Sequence, residues 1–381
     1  MKKIGIVPLE YHSYNYGGTL QNYALQQAFL KTGCKVEVLN FDDSKEKKLF
    51  SISQNKNKPT VKTNIKKRIQ RVLNFLYYKK INSKRTKFEE FREKHFSDMH
   101  DATSLNLAKI ADEFDCFVCG SDQVWNPYWC NSTHFLSFVP NNIPKVSYAA
   151  SIGVDDLTDE QKVVYKPLID DFTLVSVRET RGKEILQSFV DANVEVVLDP
   201  TMLLTSNEWN IILPNKKIKE KYIFTYFLGE DAALREYAES LAEKLGYKIV
   251  NIPFLYGEVR KADLLFGHIK YASAGPEDFI SLITNAEIIL TDSFHACVFS
   301  MIFHKNFYAF DRKVYGKSMS SRITGLLDSV GIVGHIIGTD YPIDNILSSS
   351  INYDEVEANL NALRENSLAF IKKTVELELD R

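Results

Sequence analysis

The feature that most constrains this chain is a repeated alternation of short apolar runs with stretches of helical periodicity. Strand-like runs fall near 3–7, 35–39, 114–119, 145–149, 173–177 and 194–198, and a second series near 222–227, 247–251, 287–290 and 306–309. Amphipathic helices fit between them over 19–31, 159–170, 179–189, 232–245, 276–284 and 295–303. Parallel strands joined by crossover helices are the arrangement that buries such runs on both faces. The expectation is an α/β protein of two Rossmann-like, doubly wound domains facing each other across a cleft. Its 381 residues agree with two domains at about 150 residues each. The boundaries read 1–205 for an N-terminal domain, 206–221 for a linker broken by Asn, Pro and Lys, 222–350 for a C-terminal domain and 351–381 for a last long helix.

One segment breaks the alternation and is read as an insertion over 45–96 in the N-terminal domain. Between Lys45 and Lys94 there are 17 Lys and Arg and four acids, a local +13 in a chain of net charge −2. Residues 51–60 read as a mobile loop. From Ile65 to Phe96 the apolar positions Ile69, Val72, Leu73, Leu76 and Tyr77 form a helical stripe. A solvated basic helix, attraction to anionic lipid headgroups and guidance of an acidic acceptor all fit. The balanced total charge gives no footprint for nucleic acid.

Five cysteines, odd in number and scattered, fit a reducing compartment better than a disulfide framework. Cys116 and Cys119 are spaced like a redox pair, but in a strand residues three apart point to opposite faces. The apolar start, Ile4 to Leu9, is too short for a secretion signal, and no run approaches the roughly 18 apolar residues of a membrane span. A cytoplasmic protein follows, peripheral at the inner membrane face where the basic segment acts on lipid. The eight histidines are dispersed without ligand spacing, so no metal site and no cofactor are expected.

The chemistry is sought where strands turn into helices. Asn15, Gly17, Gly18 and Gln21 surround the first such turn; a glycine pair there permits either a tight structural turn or an anion at the helix amides. Ser121, Asp122, Gln123, Trp125 and Asn126 follow the strand ending at Cys119, a polar set with one aromatic face suited to sugar hydroxyls, or else a polar turn anchored by a buried tryptophan. Asp122 is the acid there able to act as a base. Arg178 ends another strand, placed to clamp a carboxylate or phosphate or to pair with a nearby acid. Asp199 with Pro200 reads first as a strand stop. In the second half, Ser293 and His295 open a helix directly after a strand, an anion site with a titratable imidazole beside it. Gly275 to Asp278 starts the preceding helix and would add amides to that pocket. Arg312, Lys313 and Arg322 add cations downstream.

Taken in register, Asn15–Gly18 with Leu20, Gln21 and Tyr23–Gln26, then Gly120–Asn126, Ser147–Ser151, Ser176–Glu179, Leu198–Thr201 and Asp292–His295 before Phe299 and Ser300 resemble the polysaccharide pyruvyl transferase family. The resemblance covers about 3–330 without the insertion. It implies a GT-B-like enzyme, acceptor side N-terminal and donor side C-terminal. That enzyme would move the pyruvyl group of phosphoenolpyruvate, a co-substrate, onto a sugar of a polysaccharide or lipid-linked precursor, leaving a pyruvate ketal and phosphate. By the same resemblance Arg178 would hold the donor and His295 would act on it as acid, base or phosphate ligand, while Asp122 is assigned to the acceptor hydroxyl on its position alone. Members of the family carry Arg two residues before the helix-start histidine. Here Ser293 stands there, so Arg322, Arg312 or Lys313 supplies that charge, or the donor differs. The rival readings are a GT-B glycosyltransferase using a nucleotide sugar and a non-catalytic glycan-binding protein.

Overall fold

A computed structural model describes residues 1–9, 14–41, 48–50, 61–96, 99–102, 107–214, 218–255, 260–314, 317–318 and 321–378. The loop expected over 51–60 lies outside them. The chain divides into two compact units, one of Met1–Gln54, Glu93–Leu204 and Leu360–Arg381, the other of Asn55–Arg92 and Thr205–Asn359.

In the first unit seven parallel strands, β1 (Lys3–Val7), β2 (Lys35–Phe41), β3 (Met99–Ala102), β4 (Cys116–Cys119), β5 (Lys145–Ala150), β6 (Leu174–Val177) and β7 (Val194–Val196), are ordered β3-β2-β1-β4-β5-β6-β7. Every residue of β4 and β5 is buried, which is why these segments read as unbroken runs rather than alternating ones. The second unit repeats the winding with β8 (Tyr222–Tyr226), β9 (Lys248–Asn251), β10 (Ile269–Lys270), β11 (Ile288–Thr291), β12 (Asn306–Phe310) and, after the small antiparallel hairpin β13 (Lys313–Val314) and β14 (Lys317–Ser318), β15 (Ile336–Ile337). Its order is β10-β9-β8-β11-β12-β15. All ten expected strands are present. The three further ones in the two large sheets, β3, β10 and β15, have two to four residues each and carry no run long enough to show a period.

The segment expected to be a linker contains a helix, Ser206–Asn210, held by a reciprocal cap between Thr205 and Glu208. The last helix, Tyr353–Glu376, opens with Tyr353 stacked on His304 at 4.6 Å, within the second unit. Its later turns belong to the first unit, where Ser367 accepts from the Leu198 amide at 2.9 Å and Arg364 donates to the Met202 carbonyl at 2.9 Å. The basic segment is one helix, Val61–His95, and most of it packs with the second unit, not the N-terminal domain to which the sequence reading gave it. The reason lies in its side chains: Leu73, Tyr77 and Ile81 pack against Leu255 and Ala272, and Lys87 pairs with Asp278 at 2.6 Å. The expected single stripe is therefore split, because Val72 and Leu76 point to solvent.

All five cysteines are buried and reduced. Burial pushes Cys116 up to about 12, which leaves no reactive thiolate near neutral pH.

Buried His134 ties the loop after β1 to the loop after β4. Its Nδ1 accepts from the Asn131 amide at 3.3 Å and its Nε2 faces the Leu9 carbonyl at 3.1 Å, an arrangement that needs the neutral ring with the proton on Nε2. Burial holds this imidazole down to about 4. A folded value below the ordinary 6.5 means the unfolded chain takes the proton first, so the stabilisation is complete above pH 6.5 and is lost as pH falls toward 4. Denaturant unfolding across that window should show a loss on the order of 2–3 kcal/mol that His134→Gln lacks; parallel pH curves for the two proteins would contradict this.

Candidate functional site

In each unit the strand order reverses beside the first strand, between β1 and β4 and between β8 and β11. In doubly wound sheets ligands bind outside the carboxyl ends of strands at that reversal. Both places are polar.

In the first unit the turn after β4 depends on Gly120. Its φ is +120°, and a Cβ there would lie 2.3 Å from the Tyr148 carbonyl oxygen, so a side chain has no room. The chain then climbs over β5. Ser121 Oγ donates to the Ala149 carbonyl at 2.8 Å, and the Asp122 carbonyl accepts from the amides of Val124 and Ser151, both at 2.8 Å. With its backbone so fixed in the left-handed region (φ 63°), Asp122 holds its carboxylate 3.9 Å from Arg178.

Arg178 enters from the end of β6, its amide bonded to the Ala150 carbonyl at 3.1 Å. Its guanidinium donates to Asp199 at 2.8 Å and to Glu179 at 3.0 Å. Burial opposes its charge, yet Glu179, Asp199 and Asp122 together raise its pKa above the ordinary guanidinium value. Asp199, fully buried, also accepts from the Thr201 amide at 3.0 Å, from Thr201 Oγ1 at 2.6 Å and from Gln21 Nε2. The proline stop read from sequence is thus also the anchor of the cluster.

One cation among three carboxylates is not an anion clamp. Of the two sequence readings of Arg178 the ion pair is the one these contacts favour, and the cluster presents carboxylate oxygens. Asp199 has no exposed side-chain surface, whereas Asp122 and Glu179 keep 17% and 16%; these two oxygen pairs can accept from hydroxyls. Gln21 serves Asp199 and Ser121, not an incoming anion. Asn15 Oδ1 caps the first helix by accepting from the Gly17 amide at 2.9 Å. A Cβ at Gly18 would meet nothing within 4 Å among the described residues, so packing does not demand that glycine.

Trp125 is fully buried, stacked on Phe135 at 5.7 Å and donating from Nε1 to the His134 carbonyl at 3.1 Å. The aromatic face expected from Trp125 is therefore closed, and Asn126 is turned inward to Gln123 Oε1 at 2.8 Å. The exposed rings of this loop are Tyr128 and Trp129, 45% and 37% exposed, with Trp129 held by a 2.9 Å bond to the Gln123 carbonyl. No spacing rule distinguishes Trp125 from Trp129; their burial is set by distant contacts.

In the second unit the site is built around Asp292, which follows β11. Its two oxygens accept from the amides of Leu228 and Gly229 at 2.5 and 2.7 Å, so the carboxylate clips the turn after β8. Burial raises its pKa, while Arg312 and those amides oppose the rise. Three arginines surround this turn. Arg235 donates to the Gly229 carbonyl at 3.0 Å and is paired with Asp263 at 2.6 Å. Arg260 lies over the Phe254 ring at 3.6 Å and donates to the Leu228 carbonyl, and burial lowers its pKa. Arg312, after β12, lies 3.6 Å from where a Cβ on Gly229 would be, and its buried Nε has no hydrogen-bond partner among the described residues. Arg260 went unread because no motif surrounds it.

His295 is the second residue of the helix Phe294–Ile302, partly buried, its ring edge-on to Phe294 at 5.2 Å. Ser293 caps that helix by position but makes no side-chain capping bond; its amide donates to Thr291 Oγ1 at 3.0 Å. At the turn Gly275–Asp278 the Gly275 amide is already taken. Asp278 accepts the Gly275 amide at 3.0 Å and Lys87 at 2.6 Å, and the backbone at Gly275 lies close under Lys87. Arg322 is half-buried at the start of the helix Ser321–Ser329. Lys313 begins β13, and its side chain lies outside the described residues. Among the described residues no three His, Cys, Asp or Glu side chains are grouped to hold a metal ion.

Solved structures similar to this chain share its fold at low identity. One, described as a UDP-N-acetylglucosamine 2-epimerase from Listeria monocytogenes, superimposes with a TM-score of 0.55 at 11% identity, over 98% of this chain and 96% of that one. S. aureus MnaA with UDP gives a TM-score of 0.53 at 12% identity, over 100% and 99%. The fold is of the GT-B type. No curated protein matches the sequence. The model of the polysaccharide pyruvyl transferase family matches residues 15–313, most of the chain, and the chain belongs to that family.

Proposed function

We propose that this protein transfers the pyruvyl group of phosphoenolpyruvate to a sugar of a cell-surface polysaccharide or lipid-linked glycan precursor, with formation of a pyruvate ketal and release of phosphate. The observation that carries the donor side is Arg312, its Nε buried without a partner among the described residues, beside the Asp292-clipped turn. The donor carries a carboxylate and a phosphate, and a buried guanidinium N–H still without a partner is what such an anion can use. Arg312, with Arg260 beside the same turn, stands in for the cation missing at Ser293.

The reaction asks for a proton on the vinyl carbon of the donor, attack of a sugar hydroxyl on the neighbouring carbon, and displacement of phosphate by a second hydroxyl. His295, at the start of a helix whose amides favour negative charge, is assigned the proton transfer and contact with the phosphate. In the first unit Asp122 and Glu179 accept from acceptor hydroxyls, and Asp122 is assigned the hydroxyl proton. Arg178 is a positioning residue there, fixing both carboxylates through Asp199. A lipid-linked acceptor is met at the inner membrane face, where the basic segment 45–96 provides the attraction.

Arg312→Ala should weaken phosphoenolpyruvate binding more than about tenfold, at least ~1.4 kcal/mol, measured by calorimetry, with UDP as the comparison ligand. Unchanged affinity in a normally folded variant, or stabilisation by UDP and not by phosphoenolpyruvate, rejects this donor. Asp199→Asn should lower unfolding stability by about 2 kcal/mol or more, because Arg178 stays buried with a weakened counterion set. A melting temperature within about a degree of wild type would show that the cluster does not depend on Asp199.

A further inference from the structure

The basic helix Val61–His95 has two faces of opposite character. Leu73, Tyr77 and Ile81 follow one another at four-residue steps and, with Leu264, pack against Leu255 and Ala272 of the same unit, and further along Lys84 and Phe88 are buried. On the other side Val72, Phe75, Leu76 and Tyr78 are 57%, 81%, 67% and 60% exposed. Single exposed apolar side chains are ordinary on a protein surface, but four within seven residues of one helix form a patch.

The charge around that patch is of one sign. From Val61 to Phe88 the sequence has ten Lys and Arg and no Asp or Glu. Lys79 stands four positions after Phe75, the spacing that shares a helical face, and both Lys79 and Lys80 are exposed. Since residues 45–94 carry +13 and the whole chain −2, the remainder carries −15. An anionic partner is therefore drawn to this helix and repelled elsewhere.

We propose that this face docks the protein on an anionic bilayer, with Phe75 and Leu76 entering the headgroup region and the flanking Lys and Arg meeting lipid phosphates. A soluble anion would satisfy the charges and leave the apolar side chains in water; a zwitterionic surface would do the reverse. An anionic bilayer satisfies both, and two weak signals together are what reversible anchoring requires. The inference rests on the lipid-linked acceptor reading only for its purpose. Its test uses no catalysis, so failure of one is distinguishable from failure of the other.

The full chain should co-sediment at low salt with phosphatidylcholine vesicles containing about one-third phosphatidylglycerol, and not with pure phosphatidylcholine. Phe75→Ser with Leu76→Ser should weaken binding by about tenfold or more, and Lys79→Glu with Lys80→Glu should do likewise, with donor binding intact in both. As a second readout, Phe75→Trp should gain an indole emission that shifts to the blue on the anionic vesicles. If the serine variant fails to fold, that shift decides. Absence of vesicle binding by the wild type, equal binding by all variants, or no blue shift in the Phe75→Trp variant overturns the proposal. So does self-association that the serine variant abolishes in a protein that does not bind vesicles.

Discussion

A parallel strand buried on both faces has little place for a charged side chain except at its ends. That constraint governs both units of this protein. The central strands β4 and β5 are closed along their whole length, as are β8 and β11. The charged residues Asp122, Arg178 and Asp199 in one unit, and Asp292 and Arg312 in the other, all lie one to three residues beyond a strand's last position. Backbone bonds then set their directions: the Asp122 carbonyl takes two amides, and the Asp292 carboxylate takes two more. The sites are by-products of the winding, made specific by what hangs on each strand end.

This is also why so much was legible in the sequence. Runs such as Ile288–Thr291 and Lys145–Ala150 announce buried parallel strands, and the helix that follows Ser293 begins where a strand-to-helix junction must. Positions of site residues along the chain followed from that pattern. Their partners did not. Arg178 and Asp199 lie 21 residues apart, and nothing local says that β6 and the turn after β7 bring them together. Trp125 and Trp129 share one loop, yet one is sealed under Phe135 and the other faces water. Periodicity also failed for the basic helix, where Val72 and Leu73 look equivalent and only contact with Leu255 and Ala272 separates them.

The two arginines at strand ends, Arg178 and Arg312, differ in the acids that surround them. Both are found where a sheet places its ligands, and both read alike in sequence. Around Arg178 three carboxylates lie within ion-pair reach. A bound anion would have to enter a net negative cluster and displace hydrogen bonds already made in a buried setting, where unmade ones are costly.

Arg312 faces a different balance. It is the cation that acts most strongly on Asp292, and both oxygens of that acid are already taken by the Leu228 and Gly229 amides. Arg235 is paired with Asp263 and the Arg260 Nε lies 3.6 Å from Glu230, so three arginines share this turn with three acids, whereas Arg178 is one cation among three. A doubly charged anion at this edge would meet three cations beside three acids, a weaker opposing field than the one cation and three acids at Arg178. The donor assignment therefore turns on how many carboxylates surround each guanidinium, a quantity fixed by the fold and invisible in any single motif.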